Sequence, residues 1–304
     1  MPHSSPVAKA PGREASGHLA LLAVQVLFGV FPVFGRVAMD PERGFEPFAV
    51  AAGRIGFGAL VFGVLALALH GRRALPAREQ LPGLLGLSLL GIVANQGLFL
   101  VGLARSSAMD AGVLVCLIPV FTYGVAVLIG QEQGEARRLL GVALALGGTV
   151  PLLLARGATL SADHALGNGL IALNCLCYAV YLVRSKPLVA QHPPLVVGFW
   201  VYLAAVPALP VFLWLGGVPE LEEVHADALG SLAFVLVFPT VVTYLLNLFA
   251  LTRVRASTTA FYIYLQPLLA AVGGAWWLGE RLHAALVPAA VGIVLGGLLV
   301  LRRS

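Results

Sequence analysis

The sequence predicts an all-α integral membrane protein with ten transmembrane helices built from two inverted five-helix repeats. Three observations predict this fold: an apolar composition, ten apolar runs long enough to cross a bilayer, and an internal repeat. The composition is 59% hydrophobic and 11% charged, with a mean hydropathy of +0.93. Soluble domains carry about 25% charged residues, so the main solvent of this chain is lipid rather than water.

Ten runs of the chain have the length that a membrane helix requires, about 20 apolar residues. They are long and continuous, which favours helices over the shorter, alternating strands of a membrane barrel. A helix also satisfies its own backbone hydrogen bonds in lipid. The predicted spans are residues 18–38, 46–69, 82–104, 108–130, 136–155, 166–186, 194–215, 228–250, 256–279 and 284–301.

The region before the first span, residues 1–17, is rich in Ser, Pro and Ala and is predicted to be a disordered N-terminal tail. The apolar run that follows exceeds the h-region of a secretory signal and has no clear cleavage site behind it, so we expect it to be the first membrane helix. The loop between Arg156 and Leu166 divides the rest into a first five-helix repeat, residues 18–155, and a second, residues 166–303.

The internal repeat relates residues 95–132 to residues 243–280 without a gap, at an offset of 148. Of the 38 aligned positions, 8 are identical. Each repeat holds five spans, and because five is odd, the second copy must be inverted relative to the first. Inverted repeats are typical of transporters that alternate access around a site near the membrane midplane. The most informative matches are Arg105 with Arg253, Pro119 with Pro267 and Glu132 with Glu280.

The distribution of Lys and Arg predicts the orientation. With the N-terminus inside, 13 of these residues lie on the cytoplasmic side and 5 on the other. An excess of Lys and Arg in short loops marks the cytoplasmic face. We therefore expect a multi-pass protein of the cell (plasma or inner) membrane with both termini in the cytoplasm.

Several motifs recur in order along the two copies. They are Pro47 with Arg54 in the second span, the run 95–112, "IPVFTYGVAVLIGQE" ending at Glu132, and "LQPLLAAVGGAWWLGE" ending at Glu280. With them the chain resembles the drug/metabolite transporter superfamily, of the EamA type with two repeats, over essentially residues 18–303. The resemblance implies a ten-helix exporter of small organic metabolites such as amino acids or drugs.

The sequence gives little support to other classes of function. Lys and Arg fall at the ends of the spans rather than along one stripe with interleaved aromatic residues, which disfavours a nucleic-acid partner. The cysteines Cys116, Cys175 and Cys177 lie within apolar spans without partners at metal-ligand spacing, so neither a metal site nor a cofactor is expected. No catalytic motif such as HExxH or GxSxG occurs. An intramembrane enzyme and a non-transport membrane scaffold stay as alternatives, but the inverted repeat favours a transporter.

Polar and aromatic residues within the spans predict the substrate site. The third and eighth spans carry pairs four residues apart, Asn95 with Phe99 and Thr243 with Asn247, and this spacing puts each pair on one helical face. Taken singly, such residues often only join helices. Together they predict a neutral, aromatic, amide-rich midplane cavity, suited to a zwitterion or an amphipathic solute. The remaining candidates are Gln25, Phe28, Asn174, Tyr178, Tyr181, Tyr262 and Gln266.

Arg54 lies about eight residues into the second span, on the order of 12 Å below the outer surface. A charge there is costly unless it is paired or reaches water. Asp110, near the outer start of the fourth span, is the acid within reach, so we expect a structural or gating ion pair. Two alternatives stay open: Arg54 extends to an aqueous vestibule, or it anchors a substrate carboxylate.

Pro119 and Pro267 lie in the middle of the fourth and ninth spans. We expect each to kink its helix, where freed carbonyls could face the cavity, or to be a tolerated bend. Glu132 and Glu280 suit the N-termini of the helices that follow them. The expected partners are a small-molecule substrate and the lipid bilayer. The particular substrate, the direction of transport, coupling to protons or to a counter-solute, and the oligomeric state stay open.

Overall fold

A computed structural model describes residues 11–155, 157–217, 224–269, 272 and 284–301. Over these ranges all regular secondary structure is helical, and eight helices are long and apolar enough to cross a membrane. The predicted all-α membrane fold is therefore confirmed. The ninth predicted span is described only in part, and the tenth is a shorter apolar helix.

The helices follow the predicted order. Those of the first half are α1 (Pro11–Ala38), α2 (Pro47–His70), α3 (Arg78–Ala104), α4 (108–128, with a turn at Cys116) and α5 (Ala136–Ala155). Those of the second half are α6 (Ala165–Gln191), α7 (Pro194–Gly216), α8 (Ala226–Leu251), α9 (256–269 as described) and α10 (Leu286–Leu301). Glu280 lies outside the described residues.

The first helix begins earlier than predicted. The expected tail of residues 1–17 is helical from Pro11 onward, so the prediction of disorder is wrong for residues 11–17; residues 1–10 are not described. Proline is favoured at the first helical position, and an acid in the first turn, Glu14, suits the helix dipole. The added turns also contact the end of α8, where Arg253 Nε donates to Ser16 Oγ at 3.1 Å.

The two halves pack reciprocally. Helix α3 of the first half lies against α6 of the second, and α8 of the second lies against α1 of the first. Helix α2 packs on α7, α4 on α9 and α5 on α10, so these three pairs join equivalent helices. Two copies of one unit related by a two-fold axis give this pattern of contacts.

Equivalent contacts also occur at the helix ends. Arg36, near the end of α1, donates from Nη2 to the carbonyl of Ser106 at 2.9 Å, just beyond α3. Lys186, near the end of α6, donates to the carbonyl of Val254, just beyond α8. Ser106 and Val254 are separated by the repeat offset of 148 residues. A cation beside the last carbonyls of a helix is favourable, and both repeats use it at the same place.

Candidate substrate-binding site

A central cavity lies between the two repeats. Its volume is about 110 Å³, enough for several water molecules. Its wall is made by α1, α2, α3 and α4 of the first half and by α6, α8 and α9 of the second. The residues that line it are Phe28, Phe31, Arg54, Asn95, Gln96, Phe99, Ala111, Gly112, Val115, Ile118, Asn174, Tyr178, Tyr244, Ile263 and Gln266.

The wall follows the repeat. Gln96 and Tyr244, Val115 and Ile263, and Ile118 and Gln266 are each separated by 148 residues, and every member of these pairs lines the cavity. Equivalent positions on equivalent helices thus face one space. A site of this kind lies near the axis that relates the two halves.

Two π-helical turns shape the helices beside the cavity. Leu89–Ala94 in α3 and Leu236–Val242 in α8 occupy equivalent positions, because residues 89–94 correspond to 237–242 at the repeat offset. A π turn adds one residue to a helical turn and frees backbone groups for other partners, which is why such turns are frequent at functional sites. Here each π turn ends directly before a predicted binding pair.

The π turn of α3 is held by the other repeat. Tyr244 donates its hydroxyl to the carbonyl of Gly91 at 2.7 Å. The ring of Tyr181 covers Gly91 so closely that a Cβ built there would lie 2.1 Å from a ring carbon. Only glycine therefore fits at this position. The contact fixes α3 against α6 and α8 one turn before Asn95.

The amide side chains both line the cavity and join helices. Asn174 Nδ2 donates to the carbonyl of Asn95 at 2.6 Å, and this bond links α6 to α3. Gln266 Nε2 donates to Gln25 Oε1 at 2.8 Å, which links α9 to α1. Among the described residues only the side-chain nitrogen of Asn174 has a hydrogen-bond partner, so its side-chain oxygen is left for a ligand. The choice between a binding role and interhelical packing is therefore not exclusive for these residues.

Most of the predicted binding residues gather at this place. Phe28, Asn95, Phe99, Asn174, Tyr178 and Gln266 line the central cavity. Gln25 and Asn247 line a smaller adjoining pocket, which shares Phe28, Tyr178 and Ile263 with the cavity. Asn247 Nδ2 donates to the Tyr178 hydroxyl at 3.3 Å, so the two spaces meet at this bond.

Three predicted residues do not line either space. Thr243 is fully buried and donates its hydroxyl to the carbonyl of Phe238 at 2.9 Å, a carbonyl that also accepts from the backbone N–H of Thr243. Tyr181 stacks behind Tyr178, with 6.0 Å between ring centroids. Tyr262 forms a hydrogen bond with His18 Nδ1 at 2.8 Å, between α9 and the first turns of α1. These three residues therefore lie outside the cavity wall, contrary to the prediction.

The expected ion pair between Arg54 and Asp110 is not formed. Arg54 Nε donates to Thr240 Oγ1 at 2.9 Å, and the guanidinium carbon lies 4.9 Å from the centre of the Phe31 ring. Asp110 instead faces the loop after α5. There its carboxylate accepts from the backbone N–H groups of Thr159 at 2.7 Å and Leu160 at 3.0 Å.

Asp110 also lies 3.0 Å from His164 Nδ1. These partners satisfy the carboxylate at the end of the helix bundle. Arg54, in contrast, lies in the cavity wall. The sequence alone does not show that Arg54 and Asp110 are apart, because both residues are predicted to lie on the same side of the membrane.

Pro119 and Pro267 are buried and lie just outside the cavity wall. Each follows a deformed turn: α4 is interrupted at Cys116, and α9 tightens to a 3₁₀ turn at Tyr262–Tyr264. Residues 262–264 correspond to 114–116 at the repeat offset. A proline lacks an N–H and its ring clashes with the preceding turn, which explains the deformation in both copies. Val115 and Ile263 lie in these turns and reach the cavity.

The sequence reasoning missed Phe31, Gln96 and Tyr244 as cavity residues. Gln96 and Tyr244 each follow the first member of a predicted pair by one residue. The repeat itself could have indicated Gln96 and Tyr244, since both are large polar residues at one equivalent position inside apolar spans.

Comparison with known proteins agrees with this architecture. Residues 15–154 and 165–302 each match the EamA-like transporter family. The "Uncharacterized transporter YyaM" of Bacillus subtilis (strain 168) is 25% identical over 258 residues, which are 83% of each chain. The "Probable terminal-alkyne amino-acid exporter" of Streptantibioticus cattleyicolor is 25% identical over 289 residues, 93% of this chain and 92% of its own. A protein of known crystal structure is similar with a TM-score of 0.75 at 19% identity, over 94% of this chain and 97% of that one, which shows the fold alone.

The fold, the cavity between two matched halves and these relatives define a multi-pass membrane transporter of a small-molecule substrate. The chain belongs to the EamA-like transporter family. The resemblance drawn from the sequence motifs is confirmed. The family and both relatives named above are described as transporters rather than enzymes.

Proposed function

We propose that this protein exports small organic metabolites, amino acids or related amphipathic compounds, by alternating access around the central cavity. The observation that carries the proposal is the matched wall: Gln96 with Tyr244 and Val115 with Ile263 face one space from the two repeats. In inverted-repeat transporters the substrate sits between the repeats, and one half rocks against the other to open each side in turn.

The chemistry of the wall supports this class of substrate. Rings from Phe28, Phe31 and Phe99 give apolar surface, while the amides of Asn95 and Asn174 give hydrogen-bonding groups. Such a combination orients a small solute that has an apolar part and a polar head. A relative that aligns over nearly the full chain carries the description of an amino-acid exporter.

We further propose that both termini lie in the cytoplasm and that the protein resides in the plasma or inner membrane. The support is the 13 to 5 division of Lys and Arg between the two sides. Export then moves the solute from the side of Lys186 and Arg138 to the side of Arg36 and Asp110.

A transport assay with purified protein tests the function. Proteoliposomes are loaded with unlabelled L-phenylalanine, L-threonine or L-norvaline, and the uptake of the same labelled amino acid by counterflow is followed. The expected result is accumulation of at least one of the three above that of protein-free liposomes. Absence of counterflow with all three, at confirmed reconstitution, contradicts the proposed substrate class.

A matched pair of variants on α6 ties the transport to the cavity. Asn174→Ala removes an amide from the wall, whereas Asn168→Ala removes an amide on the same helix that accepts from Ser106 Oγ at 2.6 Å, away from the cavity. Asn174→Ala is expected to reduce transport at least several-fold, and Asn168→Ala to leave it within about twofold. Equal effects would mean that the cavity is not the substrate site.

A further inference from the structure

Arg54 carries the charge of the cavity wall. Every other described residue that lines the cavity is uncharged, and in the same part of the chain Arg54 forms no salt bridge. Its side chain is only 3% exposed. A buried guanidinium inside a membrane protein is costly unless an anion or water compensates it. Within the described ranges, no acidic side chain neutralises this cation at the cavity.

The guanidinium is held in a fixed orientation. Thr240, fully buried in the π turn of α8, donates its hydroxyl to the carbonyl of Val235 at 2.8 Å. The hydroxyl has one proton, so this bond turns a lone pair toward Arg54, whose Nε donates to it at 2.9 Å. The Phe31 ring covers the guanidinium face at 4.9 Å. The π turn thus positions Arg54.

This arrangement leaves the terminal amino groups of Arg54 available. Of the five N–H donors of a guanidinium, only the one on Nε has a hydrogen-bond partner among the described residues. A carboxylate accepts two parallel hydrogen bonds from such a fork. An ammonium group on a solute would instead be repelled from this part of the wall.

A second group of the wall has an unused acceptor. Gln96 is fully buried, and its Oε1 has no hydrogen-bond partner in the described part of the chain. Its Nε2 donates to the Tyr202 hydroxyl at 3.5 Å, and that hydroxyl donates to the carbonyl of Thr240 at 3.3 Å. Gln96 and Arg54 are therefore connected through Thr240. An unpaired buried acceptor is destabilising, and a donor on the solute would satisfy it.

We propose that Arg54 binds the carboxylate of the transported solute and that Gln96 Oε1 accepts a hydrogen bond from its amino group. The cavity then selects zwitterions with a free carboxylate over amines and amides. This inference rests on the proposed function, because it assigns the two ends of a solute to the same cavity.

Three solutes with one aromatic part separate the two contacts. L-phenylalanine has both polar groups, L-phenylalaninamide lacks the carboxylate, and 3-phenylpropionate lacks the amino group. In counterflow with the parent protein, L-phenylalanine is expected to exceed each of the others about tenfold, because each of the others lacks one hydrogen-bonded charged group. Equal transport of all three overturns the inference and leaves the proposed function intact. Transport of none of the three overturns the inference, and it overturns the proposed function as well where L-threonine and L-norvaline also give no counterflow.

Variants then assign each contact to its residue. Arg54→Gln is expected to raise the half-saturation concentration for 3-phenylpropionate about tenfold or more and to leave the value for L-phenylalaninamide within twofold. Gln96→Leu is expected to do the reverse. Equal losses on both solutes would mean that these residues act on folding rather than on recognition, and would overturn the assignment.

Two further variants keep the test decisive. Arg54→Lys retains the charge and loses the planar fork, so it serves if Arg54→Gln fails to fold; it is expected to weaken carboxylate transport while L-phenylalaninamide is unaffected. Arg43→Gln, at an exposed position outside the cavity, is the control and is expected to match the parent on all three solutes. Parent-like transport of 3-phenylpropionate by both Arg54 variants contradicts the proposal.

Discussion

At the scale of single residues, the cavity depends on a contact that holds a helical irregularity in place. Gly91 offers its carbonyl to the Tyr244 hydroxyl and its bare Cα to the Tyr181 ring. Both aromatic residues belong to the second repeat, while Gly91 belongs to the first. The same π turn carries Asn95 and Gln96 into the wall, so a change at Gly91 should affect the site without touching it.

A methyl group at this position measures the tightness of the contact. Gly91→Ala places a Cβ 2.1 Å from a Tyr181 ring carbon, and we expect a loss of about 1–3 kcal/mol in the free energy of unfolding. Gly86→Ala is the matched control, because it lies on the same helix with no atom within 4 Å of the added Cβ. Thermal unfolding in detergent is the measurement. A melting temperature of Gly91→Ala equal to that of Gly86→Ala would contradict the contact.

The same residues explain how far sequence reasoning could go at this scale. Regular helical spacing predicts the pairs Asn95 with Phe99 and Thr243 with Asn247, yet Thr243 lies outside the wall and its neighbour Tyr244 lies within it. A π turn adds one residue and so shifts the face that follows. It has the same apolar composition as an α turn, and the shift therefore cannot be read from the pattern. Aromatic and amide positions on the regular helices, such as Phe28 and Asn174, were predictable.

At the scale of elements, a buried acid ties the two repeats together at one end of the bundle. Glu132, between α4 and α5, accepts from the Ser257 hydroxyl at 2.5 Å and from the Ser257 N–H at 3.2 Å, at the start of α9. Arg138 of α5, which is 3% exposed, donates to the same carboxylate at 3.1 Å. The sequence predicted Glu132 as a charge for the helix that follows it; the structure uses it for α9 of the other repeat.

Removal of this charge should loosen the junction. Glu132→Gln removes one of the two carboxylate charges that Arg138 contacts and keeps the other, Glu135 at 2.6 Å. Breaking a buried pair typically costs about 3–5 kcal/mol. Glu135→Gln is the matched control at a more exposed carboxylate, and we expect it to cost less. The measurement is the melting temperature of each variant, and we expect it to be lower for Glu132→Gln than for Glu135→Gln. A greater loss for Glu135→Gln would mean that the contact with α9 contributes little.

At the scale of the whole molecule, composition and the internal repeat were enough to predict the fold. Apolar runs of bilayer length have few alternatives to helices, and an inverted repeat accounts for the reciprocal packing of α3 on α6 and α8 on α1 that the structure shows. The start of α1 was less predictable, because its second turn is held by a contact between Ser16 and Arg253, which are distant in sequence. The contact between Arg54 and Thr240 could not be predicted from the sequence either, because these two residues are also distant along the chain.

Orientation is a property of the whole molecule that a reporter can test. A reporter active only in the cytoplasm is expected to work when fused after Ser304 and to fail when inserted in the loop between α7 and α8, because of the 13 to 5 division of Lys and Arg. Fusion between α5 and α6 should also fail. Activity in the opposite pattern would reverse the proposed topology and, with it, the assignment of the two sides of the cavity.

The central claim is that one cavity, built by equivalent residues of two inverted repeats, opens to each side of the membrane in turn. Single cysteines at the equivalent positions Val115 and Ile263, in a protein whose Cys116, Cys175 and Cys177 are replaced by Ala, measure this directly in sealed vesicles. A membrane-impermeant thiol reagent should label both positions from either side, and a transported amino acid should slow the labelling. Labelling from one side only, with no protection by any transported solute, would contradict alternating access through this cavity.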